Sequence, residues 1–244
     1  MLLLHGLTDN GLCWSRVARA LETGNDIVML DARGHGESSR MRTYEVHDSA
    51  RDIAEVIDNL ELKSPILLGH SVGAMAAMAF ADAYPRVASK IILEDPPFLP
   101  PLKKSEVIDR QNDFRNQVMS FRTMTTSEIS DLGRKLSPGW HADEFPEWTL
   151  GKQQVDPEAW PTLLPRWQDI IENFSAPALL VYGEVERGGL VTREAAADAI
   201  RINPNFRAVQ IAGAGHNIRR EKFREFMSVI LNFLNDDCVP ESRL

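Results

Sequence analysis

The sequence predicts an α/β protein: a mostly parallel, doubly wound sheet interrupted by an inserted helical cap. Three observations carry this. Short apolar runs alternate with segments of helical period along most of the 244 residues, which is how buried parallel strands joined by crossover helices read. The pentapeptide Gly69-His70-Ser71-Val72-Gly73 stands directly between one apolar run and a stretch of small residues. From Pro96 to about Ala176 the alternation stops, and this region holds four of the five tryptophans.

Leu2 to Leu4 reads as the first strand, followed by a helical pattern from Leu12 to Leu21 that Gly24 closes. Ile27 to Leu30 is the second strand. The next helix carries Val46, Ala50, Ile53, Ala54, Ile57 and Leu60 on one face. Ile66 to Leu68 leads into a helix from Val72 to Ala83, and Ile91 to Leu93 precedes the insertion. Within it Glu106 to Met124 has helical period, and no segment reads as a strand. Ala178 to Tyr182 and Ala208 to Ile211 resume the strands, with helices at Thr192 to Ile200 and Glu221 to Leu234. All six strands read as buried on both faces. The organisation expected is core over 1–95, cap over 96–176 and core over 177–244. An insertion this long and this aromatic predicts a folded lid rather than a linker. In such sheets ligands bind beyond the carboxyl ends of the strands.

Composition narrows the functional classes. The formal net charge is −8 at pH 7 and there is no basic run, which argues against nucleic acid and anionic membrane as partners. No stretch approaches the roughly 18 apolar residues of a membrane span, and Met1-Leu2-Leu3-Leu4 lacks the basic flank of a signal peptide; a cytoplasmic protein is expected. Cys13 and Cys238 are the only cysteines, both expected as free thiols, and no Cys/His cluster has zinc-site spacing.

The pentapeptide reads as a nucleophile elbow, a strand-to-helix turn strained enough to expose Ser71 Oγ, with glycines flanking it where side chains would crowd the turn. Three further motifs join it in order: His5-Gly6-Leu7-Thr8 after the first strand, Asp31 to Ser38 after the second, and Gly213-Ala214-Gly215-His216-Asn217 after the last. In this combination the chain resembles the α/β-hydrolase superfamily from Met1 to Leu234. The resemblance implies a serine hydrolase with Ser71 as nucleophile and His216 as its base. His5, His35, His47, His70 and His141 stand in turns, at the elbow, at a helix start and in the cap, where that role does not fit.

The acid is less directly read. The commonest family arrangement draws it from the loop after the seventh family strand, where this chain offers Glu186. A second arrangement places it at the end of the sixth, here Leu93-Glu94-Asp95-Pro96. Asp95 lies 24 residues after Ser71, the spacing seen in those relatives, whereas period-two alternation sends Glu94 to the other face. Asp95 is therefore the expected acid, Glu186 its rival and Glu94 a distant third. The resemblance also implies an oxyanion hole built from the backbone N–H groups of Leu7 and Val72.

A serine at position 71 disfavours the carboxylate chemistry of haloalkane dehalogenases and epoxide hydrolases of this fold. The expectation is carboxylesterase-, lactonase- or amidase-type cleavage of a small, moderately apolar substrate, without a metal or organic cofactor. Alternatives are thioester, peracid or carbon–carbon bond hydrolysis on the same triad, and a receptor-like ligand-binding protein with little turnover. Relatives usually carry two further strands before the histidine-glycine loop, whereas this chain begins at Met1 inside the strand that leads to that loop; the readings are a truncated start or a genuinely shortened sheet, and a truncation would expose a sheet edge and favour homo-oligomerisation.

Overall fold

The computed structural model describes residues 1–100, 103–161 and 166–236. Six strands, β1 (Leu2–Leu4), β2 (Val28–Leu30), β3 (Ile66–His70), β4 (Lys90–Glu94), β5 (Ala178–Tyr182) and β6 (Phe206–Gln210), form one sheet in the order β2-β1-β3-β4-β5-β6. Every pairing is parallel. The chain runs outward from β1 to β2, then crosses back to start β3 on the other side of β1. The point where winding reverses therefore lies between the carboxyl ends of β1 and β3, and the register that pairs Leu4 with Gly69 and His70 with Glu94 brings three strand ends level there.

Alternation along the strands builds two cores. Leu3, Leu68, Ile92 and Leu179 enter one with Trp14 and Phe226, while Leu4, Leu67, Leu93 and Leu180 enter the other with Met75 and Phe80. The first core is covered by α1 (Ser15–Leu21) and α10 (Phe223–Asn235), the second by α2 (Val46–Asn59), α3 (Val72–Ala83) and α8 (Arg193–Ile202). Burial on both faces holds in the interior strands but not at the margins. β2 and β6 are edge strands, and Val28 to Leu30 are only half-buried, because a single neighbour covers each edge.

Local chemistry shifts some boundaries. The first helical segment opens as a 3-10 turn over Gly11–Trp14, capped by the Asn10 side chain accepting from the Cys13 N–H, before α1 begins. The last one divides into α9 (Ile218–Glu221) and α10 at Lys222, where the Glu221 carboxylate turns back to accept from the N–H groups of Gly215 and Asn217.

Between β4 and β5 lie α4 (Lys104–Arg122), α5 (Thr126–Leu136), α6 (Glu144–Gln154) and α7 (Trp167–Ile171). Thr125 and Glu128 form a capping box that starts α5, worth about 1 kcal/mol. Phe121, Ile129 and Trp148 pack α4, α5 and α6 together, and Gly133 lets the Trp148 ring lie against the α5 backbone. The short α7 belongs to the main core, with Trp167 stacked on Phe98 at 4.2 Å.

No helix among the described residues is long and apolar enough to cross a membrane. Cys13 is buried and unpaired, burial pushing its thiol up to about 11; Cys238 lies outside the described residues.

Candidate active site

Ser71 joins β3 to α3 with φ 55° and ψ −121°, a left-handed conformation that an L side chain rarely adopts. The turn is forced by close packing. A methyl group on Gly73 would meet the carbonyls of Leu4 and His5, and one on Gly69 would meet the backbone of Gly73. The two glycines thus let α3 start almost on the end of β1, and the Ser71 N–H is held by the Glu94 carbonyl at 2.9 Å. Thr8 (φ 62°) and Asp95 (φ 43°) share the left-handed region. Three of the six described non-glycine residues with positive φ therefore gather at this end of the sheet, where such strain tends to collect.

Asp95 is fully buried at the end of β4, and His216 reaches it from the loop after β6. His216 Nδ1 lies 2.7 Å from Asp95 Oδ2. A carboxylate only accepts, so Nδ1 is the donor in this bond. Asp95 is oriented by the N–H groups of Leu190, 2.8 Å from Oδ2, and Val191, 3.3 Å from Oδ1. His70 steadies the other partner: its Nε2–H donates to the His216 carbonyl at 3.0 Å, and the two rings are 4.6 Å apart. Burial, with Arg219 nearby, holds the His70 imidazole neutral, well below the usual histidine range.

The structure separates the three carboxylates considered for this position. Glu94 points to Arg219, accepting from its backbone N–H at 2.8 Å and its guanidinium at 3.0 Å. Burial raises its carboxyl above the ordinary value, Arg219 opposing. Glu186 lies in an exposed 3-10 turn. Only Asp95 of the three meets His216. Among the described residues no hydrogen bond joins Ser71 Oγ to His216, although both line one cavity of about 760 Å³; such contacts commonly tighten only when substrate binds.

The Val72 N–H is the first of α3, one of the donors a helix leaves without an internal acceptor. The Leu7 N–H bonds to no described residue and belongs to the tight turn Gly6 to Asp9, closed by the Asp9 N–H on the Gly6 carbonyl at 3.3 Å. His5 anchors this turn: its Nδ1–H donates to the Gly6 carbonyl at 2.8 Å, and its Nε2 accepts from the Ala32 N–H at 3.0 Å. Leu7 also lines a second cavity of about 580 Å³ that runs between α2 and the sheet edge. Among the described residues it alone lines both cavities.

Beneath the first cavity lies a group of charges the sequence does not announce. Asp9 receives Lys152 at 3.2 Å, Arg219 at 3.1 Å and Arg220 at 3.0 Å, all buried. Burial alone would raise the Asp9 carboxyl, but Arg220, Lys152 and Arg219 outweigh it and hold it well below the usual carboxylate range. Glu144 of α6 completes the set through Arg220 at 3.3 Å. Sequence reasoning misses Asp9, His70, Lys152, Arg219, Arg220 and Glu221. The one local sign was an arginine pair three residues after His216, on a segment that otherwise looks like a helix surface.

A three-layer parallel fold with an elbow serine and a histidine–carboxylate pair at its strand ends defines a class. The chain belongs to the alpha/beta hydrolase family, whose profile matches residues 1–226. It is 28% identical over 254 residues to the 2-(acetamidomethylene)succinate hydrolase of Mesorhizobium japonicum, covering 96% of this chain and 87% of that protein. It is 24% identical to the sn-1-specific diacylglycerol lipase ABHD11 of Xenopus tropicalis, covering 96% and 77%. The crystal structure of an E-2-(acetamidomethylene)succinate hydrolase superposes with a TM-score of 0.80 at 24% identity, over 96% of this chain and 90% of that one, a likeness of fold. Hydrolysis is the activity these names share.

Proposed function

We propose that this chain is a serine hydrolase that cleaves a carboxylic ester, lactone or amide bond of a small, moderately apolar substrate. Ser71 Oγ attacks the carbonyl carbon as His216 Nε2 takes its proton. The bond to the leaving group breaks as the same nitrogen returns that proton, and a water activated by His216 then hydrolyses the acyl-enzyme and frees Ser71. Asp95 fixes the imidazole tautomer and stabilises the imidazolium, while the N–H groups of Leu7 and Val72 face the developing oxyanion. These steps need no metal or organic cofactor.

The observation that carries this reading is the 2.7 Å bond from His216 Nδ1 to the buried Asp95, His216 itself lining the same cavity as the elbow serine. Phe114, Trp140, Trp148 and Trp160 give that cavity an aromatic wall that supports apolar parts in a small substrate, beside the charged side chains of Arg110, Asp113, Lys152 and Arg220. The acetamido group in the name of one relative supports keeping amides in the class.

The test is covalent labelling by a fluorophosphonate together with hydrolysis of p-nitrophenyl acetate. Labelling at Ser71 and turnover, both abolished in Ser71→Ala, are expected. Folded protein that neither labels nor turns over short esters, yet binds small apolar ligands tightly, would establish the receptor-like alternative instead.

A further inference from the structure

Lys152 lies in α6 of the cap, yet its ammonium is spent entirely on the loop after β1. Nζ is 2.9 Å from the Thr8 carbonyl, 2.7 Å from Thr8 Oγ1 and 3.2 Å from Asp9 Oδ1. An ammonium has three donors, and here each has an acceptor on two consecutive residues. The side chain is only 6% exposed, and Nζ lies 4.6 Å from the Trp148 ring centre.

Two neighbours on the same helix grip the same loop. A methyl group on Gly151 would come within 3.0 Å of the Thr8 carbonyl and 3.1 Å of Asp9 Cα, so α6 packs closely on the loop at this point. The Gln154 side chain accepts from Asn10 at 2.8 Å.

The gripped segment is the turn that presents the Leu7 N–H. Thr8 holds φ 62° there, a conformation that is strongly unfavourable for a β-branched residue and persists only when surrounding contacts impose it. His5 secures the Gly6 end from within the core, and Arg219 and Arg220 secure Asp9. Lys152 is the side chain that bonds Thr8 itself. It also lines the cavity containing Ser71 and His216.

We infer that Lys152 is a positioning residue for the oxyanion donors: acting through Thr8, it sets the Leu7 N–H from the cap side, so that the donor pair is complete only with α6 seated on the core. The inference rests on the serine-hydrolase reading above. It gives the cap a part in transition-state stabilisation in addition to covering the site. A substrate contact would raise KM, whereas a displaced oxyanion donor lowers kcat.

The test uses Lys152→Met, which keeps the length of the stem, with p-nitrophenyl acetate and fluorophosphonate as probes and thermal unfolding as a check of folding. A displaced donor costs up to about 100-fold. Both kcat and the rate of labelling at Ser71 should fall by a common factor approaching this, with KM nearly unchanged. Adding Thr8→Gly, which adopts positive φ freely, should recover part of the lost rate. Should Lys152→Met fail to fold, Lys152→Arg, which keeps a charge opposite Asp9 but moves the donors, should show the same fall in kcat at constant KM. Wild-type kcat in the folded variant, a change confined to KM, or no recovery in the double variant would overturn the inference. If Ser71→Ala itself retains full turnover, the serine reading fails and this inference falls with it; if only the Ser71 variant is inactive, the serine reading stands and Lys152 has no positioning role.

Discussion

Glu94 and Asp95 are chain neighbours whose carboxylates serve unrelated partners: Glu94 receives Arg219 at 3.0 Å, and Asp95 receives His216 at 2.7 Å. The positive φ of Asp95 turns the chain at the end of β4. One carboxylate is committed to the buried charge group and the other to the imidazole.

Asp95→Asn should lower kcat by about 10³- to 10⁴-fold, because an amide can turn an N–H toward Nδ1 and favour the wrong tautomer. Glu186→Gln, at an exposed turn, should retain wild-type turnover. Steady-state hydrolysis of p-nitrophenyl acetate by the two variants checks both; inactivity of the Glu186 variant would reassign the acid.

Glu94→Ala should act on stability. It removes one of the two buried carboxylates on the Arg219 guanidinium, Asp9 at 3.1 Å remaining. The loss should be clear in urea denaturation yet smaller than the cost of stripping a buried charge of all its partners, about 3–5 kcal/mol.

Gly73→Ala should be damaging despite adding a single methyl group. That methyl meets two backbone carbonyls, of Leu4 and His5, which have no side-chain freedom with which to yield. Overpacking of this kind costs about 1–3 kcal/mol. Moving α3 also carries the Val72 N–H away, so kcat should fall together with the unfolding temperature.

His35 gives a pH signature of the fold. Burial, reinforced by His5, lowers its imidazole to about 3 in the folded state, whereas an exposed histidine titrates near 6.5. Below about pH 6.5 the unfolded chain takes up a proton that the folded one refuses, so this contribution to stability declines as pH falls from about 6.5 toward 3. Its slope approaches about 1.4 kcal/mol per pH unit once the unfolded imidazole is fully protonated. His35→Gln removes this group, and wild type should lose about 1 kcal/mol more than the variant between pH 6.5 and 5.5, where the unfolded imidazole is still only partly protonated. Urea denaturation across this range measures the difference.

The strands and the elbow are legible in the sequence because their causes are local. Leu67 and Leu68 divide between two cores as a strand covered on both faces requires, and Gly69 and Gly73 mark a turn with no room for side chains. The pairing of Asp95 with His216 spans 121 residues, and nothing local announces it; spacing shared with relatives is the only pointer. Lys152 and Thr8, 144 residues apart, have no such pointer. A lone lysine in a helix ordinarily reads as a solvated side chain, and burial of this one follows from cap packing, a tertiary effect. The half-exposed margins at β2 and β6 are hidden for a related reason, since strand order decides which apolar runs lie at an edge.

Thr8, Ser71 and Asp95 hold backbone conformations that each cost roughly 1–3 kcal/mol, a substantial share of the 5–15 kcal/mol by which domains are usually stable. The molecule is consequently less robust than its two cores would make it. Heat resistance gained by replacing Ser71 or Asp95 would remove the side chains on which the proposed chemistry depends, whereas the Thr8 backbone can be relaxed by glycine without that loss. Under the serine-hydrolase reading a stabilised descendant that stays functional therefore draws its improvement from Thr8 or from the half-covered margins of the sheet.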